Sequence, residues 1–270
     1  MKIIVVQPPY FAGENPDETV AQFLLEQLEQ AEEGSLIVLP EYSNAGGLSD
    51  PDAIFAAVPQ AEKMLSAAAK TAKEKSAYVA INVLERRGGK LKNSTYLFNG
   101  KGEVAFVYDK QHLPPAEVKL GIDAGNESGK CHCIADVDGI RFAFMTCYDV
   151  YYNEQIEFIA RHKPDIILIP GYQRGERTDI IRAQNKLTAF RCNAFIARSS
   201  VSMDTDEKGG CSMIVAPDGH ILKDMGKRTG SISADIDPKQ KYMRAAGFGG
   251  GMVRNDDFIE MGLCPNAFAD

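Results

Sequence analysis

No run of apolar residues in this chain approaches the roughly 18 that a membrane-spanning helix needs, so an integral membrane protein is set aside. The opening MKIIVVQPP lacks both the long apolar stretch and the small-residue cleavage site of a secretory leader; it reads as a first strand, and the expected compartment is the cytoplasm. Blocks of Lys and Arg are also lacking, and a net charge of -7 argues against a nucleic-acid surface. Internal repeats and low-complexity linkers are absent as well. What is present, 270 residues with 44% hydrophobic and 25% charged, suffices for one large core. A single domain over 1–270 with a small-molecule or protein partner is the expectation.

The six cysteines have no secretory context and read as reduced thiols rather than a disulfide framework. Cys131 and Cys133 flank His132 at alternating strand positions, which puts both thiols on one face, but no second Cys/His pair stands at zinc-like spacing. A metal or thiol-redox site there is the weaker reading. Cys192, Cys211 and Cys264 read as buried, inert thiols.

Strand-like and helix-like runs alternate. Lys2 to Val6 gives a strand, and Asn15-Pro16-Asp17-Glu18 carries a side-chain cap, a proline at the first helical position and a following glutamate. Val20, Leu24, Leu28 and Ala31 recur at helical spacing, and Gly34 closes the helix before the apolar run Leu36 to Leu39. One helix is expected within Asp52 to Lys75. Strands follow at Tyr78 to Val83, Thr95 to Phe98 and Val104 to Tyr108, with turns at Gly88-Gly89 and Asn99-Gly100 that favour antiparallel pairing. Helices near Asn153 to His162 and Thr178 to Cys192 then alternate with strands at Ile166 to Ile169, Ala194 to Ser199 and Met213 to Val215. This mixture of βαβ units and hairpins, with strands apolar on both faces, predicts a layered α/β sandwich. The Gly-rich segment 247–257 lacks the Lys-Ser/Thr pair of a phosphate loop and reads as part of a mobile C-terminal arm beginning at about 243.

Three chemical residues each follow a short apolar run: Glu41 in VLPEYSNAGG, Lys110 in YDKQHLPP and Cys147 in FAFMTCYDVYYNE. Strand ends of that kind gather on one rim of an open α/β sheet. A thiol on a strand-to-helix turn is exposed to the helix dipole and is expected to be activated; a nearby ammonium favours the thiolate and stabilises an oxyanion. A carboxylate takes the proton and returns it to a leaving amine. These are the parts of acyl transfer.

The segments LPE, YDKQHL and CYD, in that order, resemble the three signatures of the nitrilase superfamily, the carbon–nitrogen hydrolases. The similarity extends over nearly the whole chain, to KYMR near the tail. It implies a four-layer α-β-β-α sandwich, assembly as a homodimer or higher homo-oligomer, and neither metal nor organic cofactor. It also implies that Glu41 is the general base, Cys147 the nucleophile, and Lys110 with the backbone N–H of Tyr148 the oxyanion site. A second glutamate of the family maps to Glu117. The expected activity is a thiol amidohydrolase cleaving a small linear amide or carbamoyl compound through a Cys thioester, releasing ammonia and a carboxylic acid. Nitrile hydrolysis and acyl transfer to an amine share that intermediate. A catalytically idle interaction protein is disfavoured because all three residues are present, and the length leaves no room for a fused synthetase.

His112 could partner Cys147 as in a papain-like site, but a structural, hydrogen-bonded role is the favoured reading, as the resemblance implies. The segment after the nucleophile departs from the family's CYDxRFPE: Tyr151 stands where arginine is common and Asn153 where proline is common. That weakens transfer of an ω-amidase or carbamoyl-amino-acid specificity. Tyr148, Tyr151 and Tyr152 suggest a partly apolar wall with hydroxyl handles. In the loop PGYQRGERTD, Tyr172, Gln173, Arg174 and Arg177 are candidate substrate contacts, Arg174 as a carboxylate clamp. Asn44 either lines the pocket or forms an Asx turn with Gly46.

Overall fold

The protein is described from a computed structural model, which covers residues 1–10, 14–125 and 132–263. Cys131 and Cys264 lie outside the described residues.

Two six-stranded sheets form the middle of the molecule. The chain begins with β1 (Lys2–Gln7), α1 (Pro16–Leu28), β2 (Leu36–Val38), α2 (Pro51–Ala57), α3 (Gln60–Glu74), β3 (Tyr78–Arg87), β4 (Lys90–Phe98), β5 (Val104–Asp109) and α4 (Pro115–Lys119). It continues with β6 (Ile134–Val137), β7 (Ile140–Phe144), a 3₁₀ turn (Cys147–Tyr151), α5 (Asn153–Arg161), β8 (Ile166–Pro170), α6 (Thr178–Cys192), β9 (Phe195–Ser199), β10 (Met213–Val215), β11 (Ile221–Asp224) and β12 (Gly230–Asp235). The first sheet runs β12-β1-β2-β3-β4-β5, the second β11-β10-β9-β8-β7-β6. A small hairpin of β13 (Met243–Ala245) and β14 (Met252–Arg254) leads into α7 (Asn255–Met261).

The period of two along each strand serves two cores. Ile3, Val5, Leu36 and Val38 point into the layer between the sheets, where they meet the second sheet's Phe142, Phe144 and Ile196. Their neighbours Ile4, Val6, Ile37 and Leu39 pack outward against Val20, Leu24 and Leu28 of α1 and Met64, Ala68 and Ala72 of α3. Strands buried on both faces therefore read as continuous apolar runs. Side chains also bridge the sheets: Phe106 packs on Phe144 with ring centroids 4.9 Å apart, and Tyr108 donates to Asp149 at 2.7 Å. The layered α-β-β-α arrangement is as expected from the sequence.

Several local features differ from the sequence reading. The expected helix within Asp52 to Lys75 is two helices, because Pro59, next to Val58, separates α2 from α3. Asn15 does precede α1, but its side chain makes no capping bond; at ψ 73 its carbonyl instead accepts from the N–H and hydroxyl of Thr19 at 3.1 and 3.0 Å. β4 begins at Lys90 rather than Thr95. Gly88 and Gly89 both take positive φ (61 and 80), which makes the two-residue turn that sets Arg87 opposite Lys90 and carries the polar KNST into the sheet. The segment from 243 is a hairpin and helix laid on its own chain: Asn255 donates to the Phe190 carbonyl at 2.6 Å and Asn193 to Asp256 at 2.7 Å. Among the described residues no helix is long and apolar enough to cross a membrane.

Candidate active site

The turn after β2 delivers Glu41, the end of β5 delivers Lys110, and the end of β7 delivers Cys147. Because β1, β2 and β3 are parallel and β5 is antiparallel to β4, which is antiparallel to β3, the C-terminal ends of β2 and β5 share one rim. There the Lys110 Nζ donates to Glu41 Oε1 at 2.8 Å and to Glu117 Oε1 at 2.7 Å. Glu41 and Lys110 are each 1% exposed. Pro114 and Pro115 start the short helix α4 and set Glu117 in its first turn, facing Lys110; the Tyr42 hydroxyl adds a bond to the same Glu117 oxygen at 2.6 Å.

The backbone is bent at two points of this floor. Tyr42 has φ 58 and Cys147 φ 48, conformations that cost a non-glycine residue about 1–3 kcal/mol each. Both are strapped. The N–H of Tyr42 donates to Asn82 Oδ1 at 2.9 Å. Around Cys147, the Asp149 carboxylate accepts from the Thr146 N–H at 2.8 Å while the Asp149 N–H returns a bond to the Thr146 carbonyl at 3.0 Å.

The charges are unequal in effect. Burial alone would lower the Lys110 pKa, but Glu41, Cys147 and Glu117 together hold it above its ordinary value, so the ammonium stays charged. Glu117 is pushed up to about 7, by burial first and against the pull of Lys110. The Cys147 thiol is pushed well up by burial and by Glu41; Lys110 and a hydrogen bond from the Tyr172 backbone pull only partly the other way. Burial and Glu41 thus oppose the expected activation by the helix dipole and the ammonium. One reason is local: Cys147 opens a single 3₁₀ turn, and the α-helix with its dipole begins only at Asn153.

Above the floor opens a cavity of about 450 Å³. Glu41, Glu117 and Cys147 lie at its base; Leu48, Pro51, Ile54, Phe55, Pro114, Ala116 and Leu120 form apolar walls, with Tyr42, Tyr172, Lys119 and Arg174 around them. Tyr172 is held edge-on to both Tyr10 and Tyr42, and the Arg174 guanidinium lies over the Tyr10 and Tyr172 rings, 5.1 Å from each centroid. Arg174 has no carboxylate partner among the described residues.

Other candidates lie elsewhere. Asn44 is fully buried and joins main chain to main chain: its Nδ2 donates to the Ala57 and Leu84 carbonyls at 3.1 and 2.9 Å, and its Oδ1 accepts from the Leu84 N–H at 2.9 Å. It neither lines the cavity nor makes an Asx turn, because both ends of its amide are used across β3. Tyr148, Tyr151 and Gln173 are not among the cavity-lining residues. Tyr151 donates to Glu176, and Gln173 donates to the Tyr151 hydroxyl at 3.2 Å while accepting from buried Arg198 at 3.0 Å. Arg177 pairs with Asp179 at 2.6 Å. His112 turns to Asp149, with its N–H and Nδ1 both 2.9 Å from Oδ1, and stacks on Tyr152 at 3.7 Å. His132 and Cys133 belong to no group of three metal-ligating side chains among the described residues.

The sequence reading missed Asn82, Asn93, Thr95, Thr146, Tyr42 and Asp149. Asn93 donates to Glu41 Oε1 at 2.8 Å, and Asn82 donates to Asn93 Oδ1 at 2.7 Å and to Thr95 Oγ1 at 3.1 Å. The available signal was the asparagine inside the apolar run YVAINVLE and the polar KNST facing it.

Comparison with known proteins identifies the family and the fold. The family model for carbon-nitrogen hydrolases matches residues 5–243, and the chain belongs to that family, whose members are enzymes acting on carbon–nitrogen bonds other than peptide bonds. Among curated relatives, a 2-oxoglutaramate amidase of Bacillus subtilis is 26% identical over 229 residues, covering 82% of this chain and 85% of its own. A chloroplastic omega-amidase of Arabidopsis thaliana is 26% identical over 232 residues, covering 77% of this chain and 60% of its own. The fold matches an amidase of Nesterenkonia from the nitrilase superfamily with a TM-score of 0.73 at 20% identity, covering 88% of this chain and 91% of that one.

Proposed function

We propose that the protein is a thiol amidohydrolase of small linear amides, with Cys147 as nucleophile, Glu41 as general base and acid, Lys110 as oxyanion donor and Glu117 as its second anchor. The observation that carries this reading is the Lys110 ammonium clamped between two buried carboxylates at the base of a cavity that Cys147 also lines. An ammonium has three donors, and the two carboxylates take two, which leaves the third for a substrate oxygen.

Because burial favours the thiol form of Cys147, its attack is coupled to loss of its proton. The Cys147 sulfur attacks the amide carbonyl carbon as its proton passes to Glu41, and negative charge develops on the carbonyl oxygen, facing Lys110 and the Tyr148 N–H. Glu41 then gives the proton to the departing nitrogen, the carbon–nitrogen bond breaks, and a thioester remains. Water activated by Glu41 attacks the thioester, and collapse of the second tetrahedral intermediate returns the thiol and releases the carboxylic acid.

Apolar walls with Arg174 beside them suit an amide whose acyl part has an aliphatic body and a remote carboxylate, and the curated relatives named for 2-oxoglutaramate and omega-amides support testing that class first. In this reading Arg174 is the clamp and Tyr172 shapes the wall, while Tyr151 and Gln173 act indirectly by holding the loop that carries Tyr172. We place the protein in the cytoplasm as a homodimer or larger homo-oligomer.

The test is ammonia release from a panel of ω-amides, simple aliphatic amides, carbamoyl amino acids and nitriles, with Cys147→Ala as the blank. Release that vanishes in the variant, with a thioester mass on the wild-type chain, supports the reading. Silence across the panel with no acyl adduct rejects it.

A further inference from the structure

We propose that Asn82 and Asn93 are positioning residues that divide the labour of the Glu41 oxygens, holding Oε1 as the anchor and leaving Oε2 as the atom that receives the Cys147 proton. The argument starts from a group whose direction is beyond doubt. A backbone N–H can only donate, so the Asn82 atom 2.9 Å from the Tyr42 nitrogen is its oxygen. The Asn82 nitrogen then faces the other way, and its two hydrogens go to Asn93 Oδ1 at 2.7 Å and Thr95 Oγ1 at 3.1 Å. With its own oxygen engaged, Asn93 presents nitrogen to Glu41 Oε1 at 2.8 Å. No amide in the relay is free to flip.

The main chain of the same two residues grips the same loops. The Asn82 carbonyl accepts from the Ser43 N–H at 2.9 Å, and the Asn93 carbonyl accepts from the Lys110 N–H at 3.0 Å. Thr95 carries the relay to the Thr146 hydroxyl at 3.1 Å, one residue before the nucleophile. Asn82, Asn93 and Thr95 are at most 1% exposed, so water does not compete for these bonds. The consequence falls on Glu41. Oε1 accepts from both Asn93 and Lys110, which uses its two lone-pair positions, whereas buried Oε2 has no hydrogen-bond partner among the described residues.

This inference rests on Glu41 being the base, and the experiment separates the two. The rate of Cys147 alkylation by iodoacetamide is followed from pH 4 to 9 by intact mass in wild type, Glu41→Gln, Asn93→Leu and the isosteric Asn82→Asp, with Cys147→Ala as the blank. A carboxylate that loses a donor to its charged form protonates more readily, so the acid limb should move up by about one pH unit in both asparagine variants, with labelling about tenfold slower at pH values below the wild-type limb. In Glu41→Gln that limb should disappear. A limb that vanishes in Glu41→Gln but stays put in Asn82→Asp, and in Asn93→Leu where that variant folds, overturns the positioning role even if melting temperature drops. A limb that survives Glu41→Gln overturns the base assignment and this inference with it.

Discussion

Two regions of the site each bury a carboxylate almost completely, and they treat it in opposite ways. Beneath the Cys147 turn, Asp149 is saturated: Oδ1 accepts from the His112 backbone and ring, and Oδ2 from Tyr108 and the Thr146 N–H, all within 2.9 Å. On the cavity floor, Glu41 and Glu117 each have one oxygen with two donors and a second, buried oxygen with none among the described residues. A buried acid with every lone pair answered is a fastener, because ionisation is stabilised and protonation has no room. One with an open oxygen can take a proton. The difference teaches how to tell a working carboxylate from a structural one when burial is the same.

The comparison can be broken most severely at Cys147. Cys147→Ala should lower amide turnover by more than about 10⁴-fold while leaving the melting temperature nearly unchanged; retention of ammonia release would remove the thiol from the chemistry. Lys110→Ala should cost about 10²–10³-fold in kcat through the lost oxyanion donor. It should also cost about 3–5 kcal/mol of stability at neutral pH, because two buried carboxylates lose their shared cation. Denaturant midpoints at pH 5 and pH 8 test the second half: the loss should be smaller at the lower pH, where Glu117 is protonated.

The fastener gives the next effect in size. Asp149→Ala should destabilise by about 3 kcal/mol through the unpaired Tyr108, His112 and Thr146 donors. The acid limb of Cys147 alkylation should stay where it is. A shift of that limb would place Asp149 with the working carboxylates.

Two pH effects sharpen the contrast further. Glu117 in the folded protein titrates near 7 rather than at its ordinary 4.5, so its contribution to stability is greatest below 4.5 and is lost as pH rises through about 7. Glu117→Gln should flatten that slope, as urea midpoints across the window would show. For His112, burial lowers the pKa but Asp149 and Glu154 raise it more, so the folded value lies above the usual one. Its stabilisation is then complete below the ordinary histidine range and fades as pH rises through the folded value. His112→Gln should cost under about 1 kcal/mol, because the ring is 21% exposed and solvent screens the pair. Unchanged stability profiles would remove either group from the pH response.

Much of this was legible in the chain. The runs ending at Glu41, Lys110 and Cys147 marked strand ends because apolar, β-branched stretches buried on both faces have no other use in a layered sheet. Lys90 to Ser94 was not legible as strand, since its polar residues break the apolar pattern; Asn93 is polar because it reaches Glu41, and the Gly88-Gly89 turn holds the stretch in register with β3. The Asn44 assignment failed for a related reason: its partners at Leu84 lie 40 residues away, and local turn chemistry gave no hint of them.

By itself the sequence determined which residues could do chemistry and that they would meet at strand ends, because periodicity and residue type are local properties. Only the tertiary structure decided which carboxylate is saturated and which is open, that burial and Glu41 push the Cys147 thiol up, and that the cavity is walled by α2 and α4. Those outcomes depend on hydrogen-bond partners brought from strands 40 to 52 residues away, on desolvation, and on the register of β3 against β4. No window of sequence contains them.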